Sequence, residues 1–213
     1  MRFDFDTILD RRRFHSVKWC GYEPDVLPLP VADMDFRTAP PIRDALAQLV
    51  DHGALGYPCR PPHLADLVAS FLERRHSWQV DPTTITFLPG VLAGVRAALA
   101  AFTQPGDAFV TMTPVYPPLM TIGREMGRTL RTVPLRCDEA GRYTADLDGL
   151  ARALPGARAL LLCSPHNPVA RVFAQDELEQ IAQLCLQHDV LMVSDEIHAD
   201  LVLGPQRHLP LGS

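Results

Sequence analysis

The sequence predicts an α/β fold: a mostly parallel, helix-covered sheet preceded by an extended N-terminal arm. Three observations carry this reading. From about residue 108 onward, short apolar runs alternate with amphipathic stretches, as in strand–helix–strand units. Two of the runs, Ala159 to Cys163 and Val190 to Val193, are apolar without polar alternation. That pattern reads as strands buried on both faces in the middle of a parallel sheet. The second run ends abruptly in Ser194, Asp195 and Glu196. A carboxylate therefore falls beyond the carboxyl end of a strand, where open α/β sheets place their ligands.

Taken in order, residues 1–36 are irregular and proline-rich, with Pro24, Pro28 and Pro30 leading to Asp33-Met34-Asp35-Phe36. They form the expected arm, and residues 37–213 the expected sheet-bearing domain. Ile42, Ala45, Leu46, Leu49 and Val50 make one helical stripe, closed by His52-Gly53. Leu64, Leu67, Val68, Phe71 and Leu72 repeat the spacing, with Pro61 and Pro62 suited to a first turn. Thr84 to Leu88 is a β-branched run expected to be a strand. Gly90 then opens a helix striped by Val91, Val95, Ala98, Leu99 and Phe102. Strands follow at Ala108–Met112 and Thr129–Pro134, with a short helix to about Glu125 between them. A polar hairpin-like stretch runs to Tyr143, and a helix covers about Asp146 to Leu154. After the Ala159 strand, Ser164-Pro165-His166-Asn167-Pro168 is a rigid turn. Leu178, Ile181, Ala182, Cys185 and Leu186 stripe the last helix before Val190.

The bulk numbers exclude several function classes. A net charge of -5 without a basic block gives no reason to expect nucleic acid. No apolar run approaches the ~20 residues of a membrane span. The mixed, charged N-terminus from Met1 to Asp6 is not a signal peptide. Five scattered cysteines suit reduced thiols in a cytoplasmic protein better than a disulfide framework. Cys163, His166, Cys185, His188 and His198 match no standard zinc spacing, so no metal site is expected. The basic residues are arginines but for a single lysine, Lys18. Arginine stays protonated and cannot serve as an amine nucleophile, so a mechanism that needs a lysine must use Lys18 or do without.

Three strand ends carry a polar or aromatic group: Tyr116, Asn167 and Asp195. A fourth segment offers the helix N-terminus at Gly90, whose free N–H groups suit a phosphate. Each has a plain structural explanation when taken alone. Tyr116 reads as a core-edge aromatic, Asn167 as a turn former, Asp195 as a cap or core ion pair, and His198 as a solvated imidazole. Together they supply a phosphate cradle, an aromatic face, an amide donor and a buried carboxylate on one sheet edge. Those are the contacts that pyridoxal 5′-phosphate needs, a flat cationic ring with a phosphate tail.

With these segments assembled, the sequence resembles the class I/II aminotransferase superfamily of pyridoxal phosphate fold type I, more narrowly its MalY/PatB-type cystathionine β-lyase branch. The resemblance rests on Leu27 to Phe36, Gly56-Tyr57, Cys163 to Pro168 and Val193 to Asp200, with Lys18-Trp19 also fitting, and it covers the whole chain. It implies that Asp195 pairs with the protonated pyridine nitrogen and that Tyr116 stacks on the ring. Asn167 would donate to the phenolic oxygen with His198 beside it, and backbone groups of Gly90, Val91 and Leu92 would hold the phosphate. Tyr57 would reach the cofactor phosphate of the second subunit of a homodimer. The implied reaction is β-elimination from cystathionine or a cysteine S-conjugate, giving a thiol, pyruvate and ammonia. An aminotransferase is the alternative within the family.

The chain also departs from the pattern. Asn167-Pro168-Val169-Ala170 has alanine where the family usually has glycine, a strain of about 1 kcal/mol if the turn needs positive φ. Ala174 replaces the usual hydroxyl N-cap, a loss of roughly 1 kcal/mol. The family's Schiff-base lysine, in a Ser-x-Ser-Lys segment, falls downstream of Ser213, as do the C-terminal domain and the arginine for the substrate carboxylate. The expectation is therefore the N-terminal part of a β-lyase, a large domain incomplete at its C-terminus and inactive alone. The reading from another class is a split protein completed by a complementing C-terminal segment, or a non-catalytic binding partner of an intact homologue. The resemblance further places two downstream strands between the Val190 and Ala108 strands. The Ala108 strand is thus expected to lack a neighbour, and both flanking strands to expose their edges.

Overall fold

The computed structural model describes residues 3–213; Met1 and Arg2, part of the N-terminus read above as no signal peptide, lie outside them. The chain divides into two compact units, Met1–Arg60 and Pro61–Ser213.

The first unit holds α1 (Val17–Cys20) and α2 (Pro40–His52). Its irregular arm is gathered around the Asp33-Met34-Asp35 motif. Asp35 accepts from Lys18 Nζ at 2.6 Å, Trp19 Nε1 at 2.7 Å and Arg11 Nη1 at 3.2 Å. Asp33 pairs with Arg11 Nη2 at 2.6 Å. The Lys18 bond holds the Asp35 carboxyl below its usual range, helped by Trp19. The one lysine is thus buried and committed to an ion pair. Prolines in the first turn start α2 without losing a helical hydrogen bond, and Gly53 ends it at φ 74°. The α2 stripe of Ile42, Leu46, Leu49 and Val50 is exposed.

The second unit opens with α3 (Leu64–His76), which Pro61 and Pro62 precede rather than enter. A 3-10 turn at Pro82–Thr84 follows, with Asp81 capping Thr83 N–H. The expected strand at Thr84–Leu88 does not form: Thr84 ends the 3-10 turn, and residues 85–88 run outside the sheet. After them come α4 (Val91–Phe102), β1 (Ala108–Thr113), α5 (Pro117–Glu125) and β2 (Thr129–Pro134). A small antiparallel hairpin, β3 (Arg136–Cys137) and β4 (Tyr143–Thr144), leads to α6 (Leu147–Ala153). Then β5 (Ala157–Cys163), α7 (Gln175–Gln187) and β6 (Leu191–Asp195) complete the elements.

The main sheet has the order β2-β1-β5-β6, and every pairing is parallel. Two expectations fail here. The Ala108 strand does not lack a neighbour, because β1 lies between β2 and β5. The Val190 run is not central either. Val190 is buried ahead of the strand, but β6 pairs only with β5, leaving Leu191 exposed and Met192 and Val193 half-buried. Burial on both faces is found in β5, as expected for the Ala159 run, and in β1, and their alternating side chains feed two cores. Val110, Met112, Leu160 and Leu162 pack with Leu150 of α6, Leu154 just after it and Ile181 of α7. Phe109, Ala159, Leu161 and Cys163 pack with Val95, Leu99, Leu119 and Ile122 of α4 and α5. Each fully buried aliphatic side chain contributes roughly 1.5–3 kcal/mol. Among the described residues, no helix is long and apolar enough to cross a membrane.

Candidate functional site

Because β1, β5 and β6 are adjacent and parallel, their carboxyl ends share one edge of the sheet. Each end is continued by a turn, and hydrogen bonds join the turns. Ser164 N–H donates to the Asp195 carbonyl at 2.9 Å, extending the β5–β6 ladder by one bond. His166 Nε2 lies 2.8 Å from the Pro114 carbonyl, and Tyr116 N–H donates to the Asn167 carbonyl at 2.9 Å. The segment after β1 is thereby fastened to the segment after β5. His166 and Arg171 close the latter as a two-residue bridge, with His166 N–H donating to the Arg171 carbonyl at 2.7 Å. Inside this bridge Ala170 sits at φ 53°, so the alanine occupies the left-handed conformation for which glycine is suited.

Asp195 is 5% exposed. Its Oδ1 accepts from Ile197 N–H at 3.1 Å, and no cation of the described residues lies within ion-pair distance. A buried carboxylate with one neutral donor is electrostatically incomplete. Its register partner is Cys163. Burial pushes that thiol up to about 11; the Asn167 N–H opposes this, and the Asp195 charge adds to it. Tyr116 is partly exposed, and Asn167 and His198 are half-buried. Asn167 and His198 both line an open cleft of about 1010 Å³ between residues 165–175 and 198–209. Asp195, Tyr116 and Gly90 do not line it.

At the helix N-terminus read above as a phosphate cradle, Gly90 is the N-cap of α4. Gly90 adopts φ 105°, a conformation closed to most side chains, and a Cβ placed there would meet nothing within 4 Å. No side chain caps α4, and its first turn carries no acidic residue. The N–H groups of Val91 and Leu92 start the helix while the Gly90 carbonyl already accepts from Ala93 and Gly94. Val91, Leu92 and Val193 of β6 pack on the core that contains Cys163, which ties this helix to the strand carrying Asp195. Tyr57 belongs to the first unit, where its side chain is fully exposed.

Three features escaped the sequence reading. Glu177 forms an ion pair with Arg171 through both oxygens, one at 2.7 Å, and also accepts from Ala145 N–H at 3.0 Å. Burial raises the Glu177 carboxyl, but Arg171 and Ala145 more than offset this and hold it below its usual range. Glu177 accepts from Ala174 N–H at 3.4 Å as well, making half of a capping box that alanine, lacking an oxygen, cannot reciprocate. His166 is buried, and burial pulls its pKa down despite the backbone bonds of its ring to Pro114 and Cys163. Glu196 is bonded to His208, twelve residues on. The only sequence signal for these was Glu177 at the N3 position of its helix. As for the zinc-like set, Cys163 and Cys185 lie in different cores, and no His, Cys, Asp or Glu group among the described residues is arranged to hold a metal.

Comparison with known proteins adds a frame. The family model for aminotransferase class I and II matches residues 24–211. The chain is 39% identical to cystathionine β-lyase PatB of Bacillus subtilis (strain 168), over 99% of this chain and 56% of that protein. It is 34% identical to protein MalY of Escherichia coli (strain K12), over 98% and 55%. Among solved structures, cystalysin from Treponema denticola, which contains a pyridoxal 5′-phosphate cofactor, superposes with a TM-score of 0.91 at 34% identity. That match covers 99% of this chain and 56% of cystalysin. OvoB superposes with a TM-score of 0.89 at 41% identity, over 98% and 56%. The chain thus spans about half the length of the curated relatives it matches.

Proposed function

The chain belongs to the class I and II aminotransferase family, and from that premise we propose that it carries the cofactor-holding part of a pyridoxal 5′-phosphate-dependent carbon–sulfur β-lyase. The substrate class is cystathionine or a cysteine S-conjugate, cleaved to a thiol, pyruvate and ammonia. The named relatives that are cystathionine β-lyases support the substrate class. The observation that carries the cofactor is Asp195, a buried carboxylate with no cation among the described residues within ion-pair distance. A protonated pyridine nitrogen supplies the missing charge and a hydrogen-bond donor together.

The residues present fit that group. Asp195 would hold the ring nitrogen protonated, and Tyr116 would offer the ring its aromatic face. Asn167 would donate to the phenolic oxygen, with His198 on the same cleft. The N–H groups of Val91 and Leu92, with the open space over Gly90, would receive the phosphate. When bound, pyridoxal phosphate supplies an electron sink for bond cleavage at the substrate Cα. Asp195 would maintain that sink by keeping the ring nitrogen cationic, and the pairing of β6 with β5 helps keep its carboxylate out of water.

Lys18, the single lysine in the sequence, is buried against Asp35 and is not offered as the amine that captures the cofactor. We therefore infer that these 213 residues on their own bind the cofactor without turning over substrate. The open edge of β6 favours completion by a complementing segment. The exposed apolar stripe of α2 and the exposed Tyr57 favour a homodimer. Free thiols at all five cysteines suit a reducing, cytoplasmic setting.

The test is titration of the chain with pyridoxal 5′-phosphate, followed by tryptophan fluorescence and cofactor absorbance. Asp195→Ala should weaken binding at least tenfold, the scale of one charge-assisted hydrogen bond. Equal affinity of variant and parent would sink the assignment.

A further inference from the structure

Ser194 and Glu196 flank Asp195, and their side chains meet each other: the Ser194 hydroxyl donates to Glu196 Oε1 at 2.9 Å. The Glu196 carboxylate also accepts from Leu211 N–H at 2.9 Å and lies 3.0 Å from His208 Nε2. A carboxylate can only accept, so the imidazole proton sits on Nε2. Burial raises the Glu196 carboxyl, but His208, Leu211 and Ser194 together more than offset this and hold it below its usual range. The His208 side chain is 1% exposed, and its Nδ1 has no partner. Its ring meets His76 of α3 edge-on at 5.5 Å, and His76 Nε2 in turn lies 3.4 Å from Asp200 Oδ1. The chain end packs on the same corner, where Gly212 leaves no room for a Cβ beside the Trp78 ring.

Asp195 takes its own orientation from the turn it starts, through the Ile197 N–H. That turn is fastened from outside by Glu196 reaching the 208–211 segment. The sheet alone does not hold it, because β6 is an edge strand. We propose that His208 is a positioning residue: through Glu196 it fixes the 194–197 turn and so holds the Asp195 carboxylate in the orientation that receives a cationic ring nitrogen. The proposal rests on the reading of Asp195 as the cofactor's counter-ion. Without the imidazole, Glu196 loses a charge-assisted bond in a buried setting, and the turn is free to re-form around the remaining donors.

The experiment measures pyridoxal 5′-phosphate binding to the full 213-residue chain and to His208→Ala, His208→Gln, Glu196→Gln and Asp195→Ala. Three readouts are taken: the dissociation constant, the pH at which the bound cofactor's absorbance reports loss of the ring-nitrogen proton, and the melting temperature. His208→Ala should raise the dissociation constant about tenfold and lower the pH of the spectral transition. His208→Gln, which keeps an N–H donor near Glu196, should restore both. Glu196→Gln keeps the side-chain shape without its charge, and carries the same expectation should His208→Ala fail to fold. If His208→Ala and Glu196→Gln leave affinity and spectrum unchanged while Asp195→Ala weakens binding, the positioning role is overturned and the cofactor site stands. Loss that His208→Gln does not restore reports packing alone and overturns it too. If Asp195→Ala binds like the parent, the cofactor reading fails and this inference falls with it.

Discussion

Tyr116 N–H donates to the Asn167 carbonyl at 2.9 Å, so two side chains 51 positions apart in sequence are set on one backbone hydrogen bond. The bond joins the turn after β1 to the turn after β5. It fixes the spacing of an aromatic and a carboxamide without engaging either side chain. His166 Nε2 against the Pro114 carbonyl makes a second such tie. The turns after β1 and β5 are therefore joined twice, once through backbone alone and once through the His166 ring.

Ala170 is held at φ 53° inside the His166–Arg171 bridge. A left-handed alanine is strained by about 1 kcal/mol. Ala170→Gly should raise the melting temperature by about 2–4 °C for a chain of this size. Thermal unfolding followed by circular dichroism checks it. A fall in melting temperature would mean that glycine's greater unfolded-state freedom outweighs the relieved strain.

The strain at Ala170 was legible only conditionally, from a resemblance that puts glycine at that position; the positive φ itself came from the structure. The helices were legible directly, since their stripes recur at i, i+3 and i+4 and owe little to distant partners. Strand order was not. An apolar run has the same composition whether it lies at the centre or at the edge, and β6 became an edge because only β5 pairs with it. Thr84–Leu88 has strand propensity but no ladder, and propensity without a pairing partner does not make a strand. The Glu196–His208 pair could not be read either, because two polar residues twelve apart acquire meaning only once the chain returns on itself.

Gly123 of α5 faces the Phe109 ring of β1, and a Cβ there would lie 2.4 Å from a ring carbon. Phe109 is fully buried and cannot give way cheaply. Gly123→Ala should therefore destabilise the chain by about 1–3 kcal/mol, despite alanine's better helix propensity. Urea denaturation measures this, and a stabilised variant would show that α5 does not press on β1 this closely.

The five thiols divide by environment. Cys20, Cys59 and Cys137 are exposed, whereas Cys163 and Cys185 are buried, with burial pushing both pKa values to about 11. The thiolate is the reactive species, so at pH 8 a chromogenic disulfide should modify three thiols quickly. The remaining two should react only as denaturant is added. Rapid reaction of all five in native buffer would contradict the packing of the β5 end and of α7.

The Arg171–Glu177 pair gives a pH dependence whose sign can be worked out. Glu177 is held below its usual range, so its folded pKa lies under its unfolded value near 4.5. Such a group contributes stability that is fully present above the unfolded pKa and is lost as pH falls through the folded one. Both side chains are mostly buried, so replacing the arginine leaves a carboxylate shielded from water with Ala145 N–H as its main donor. Arg171→Met should therefore cost about 2–3 kcal/mol at pH 7, while keeping an apolar stem against Phe173. The deficit should shrink toward pH 4, because the variant's buried Glu177, without its arginine, takes up a proton more readily and so sheds its stranded charge, while the unfolded chain of the parent begins to protonate. Denaturant midpoints at pH 7, 5.5 and 4 test the argument. A deficit that stays constant across that range would mean that Arg171 acts through its stacking on Phe173 and not through Glu177.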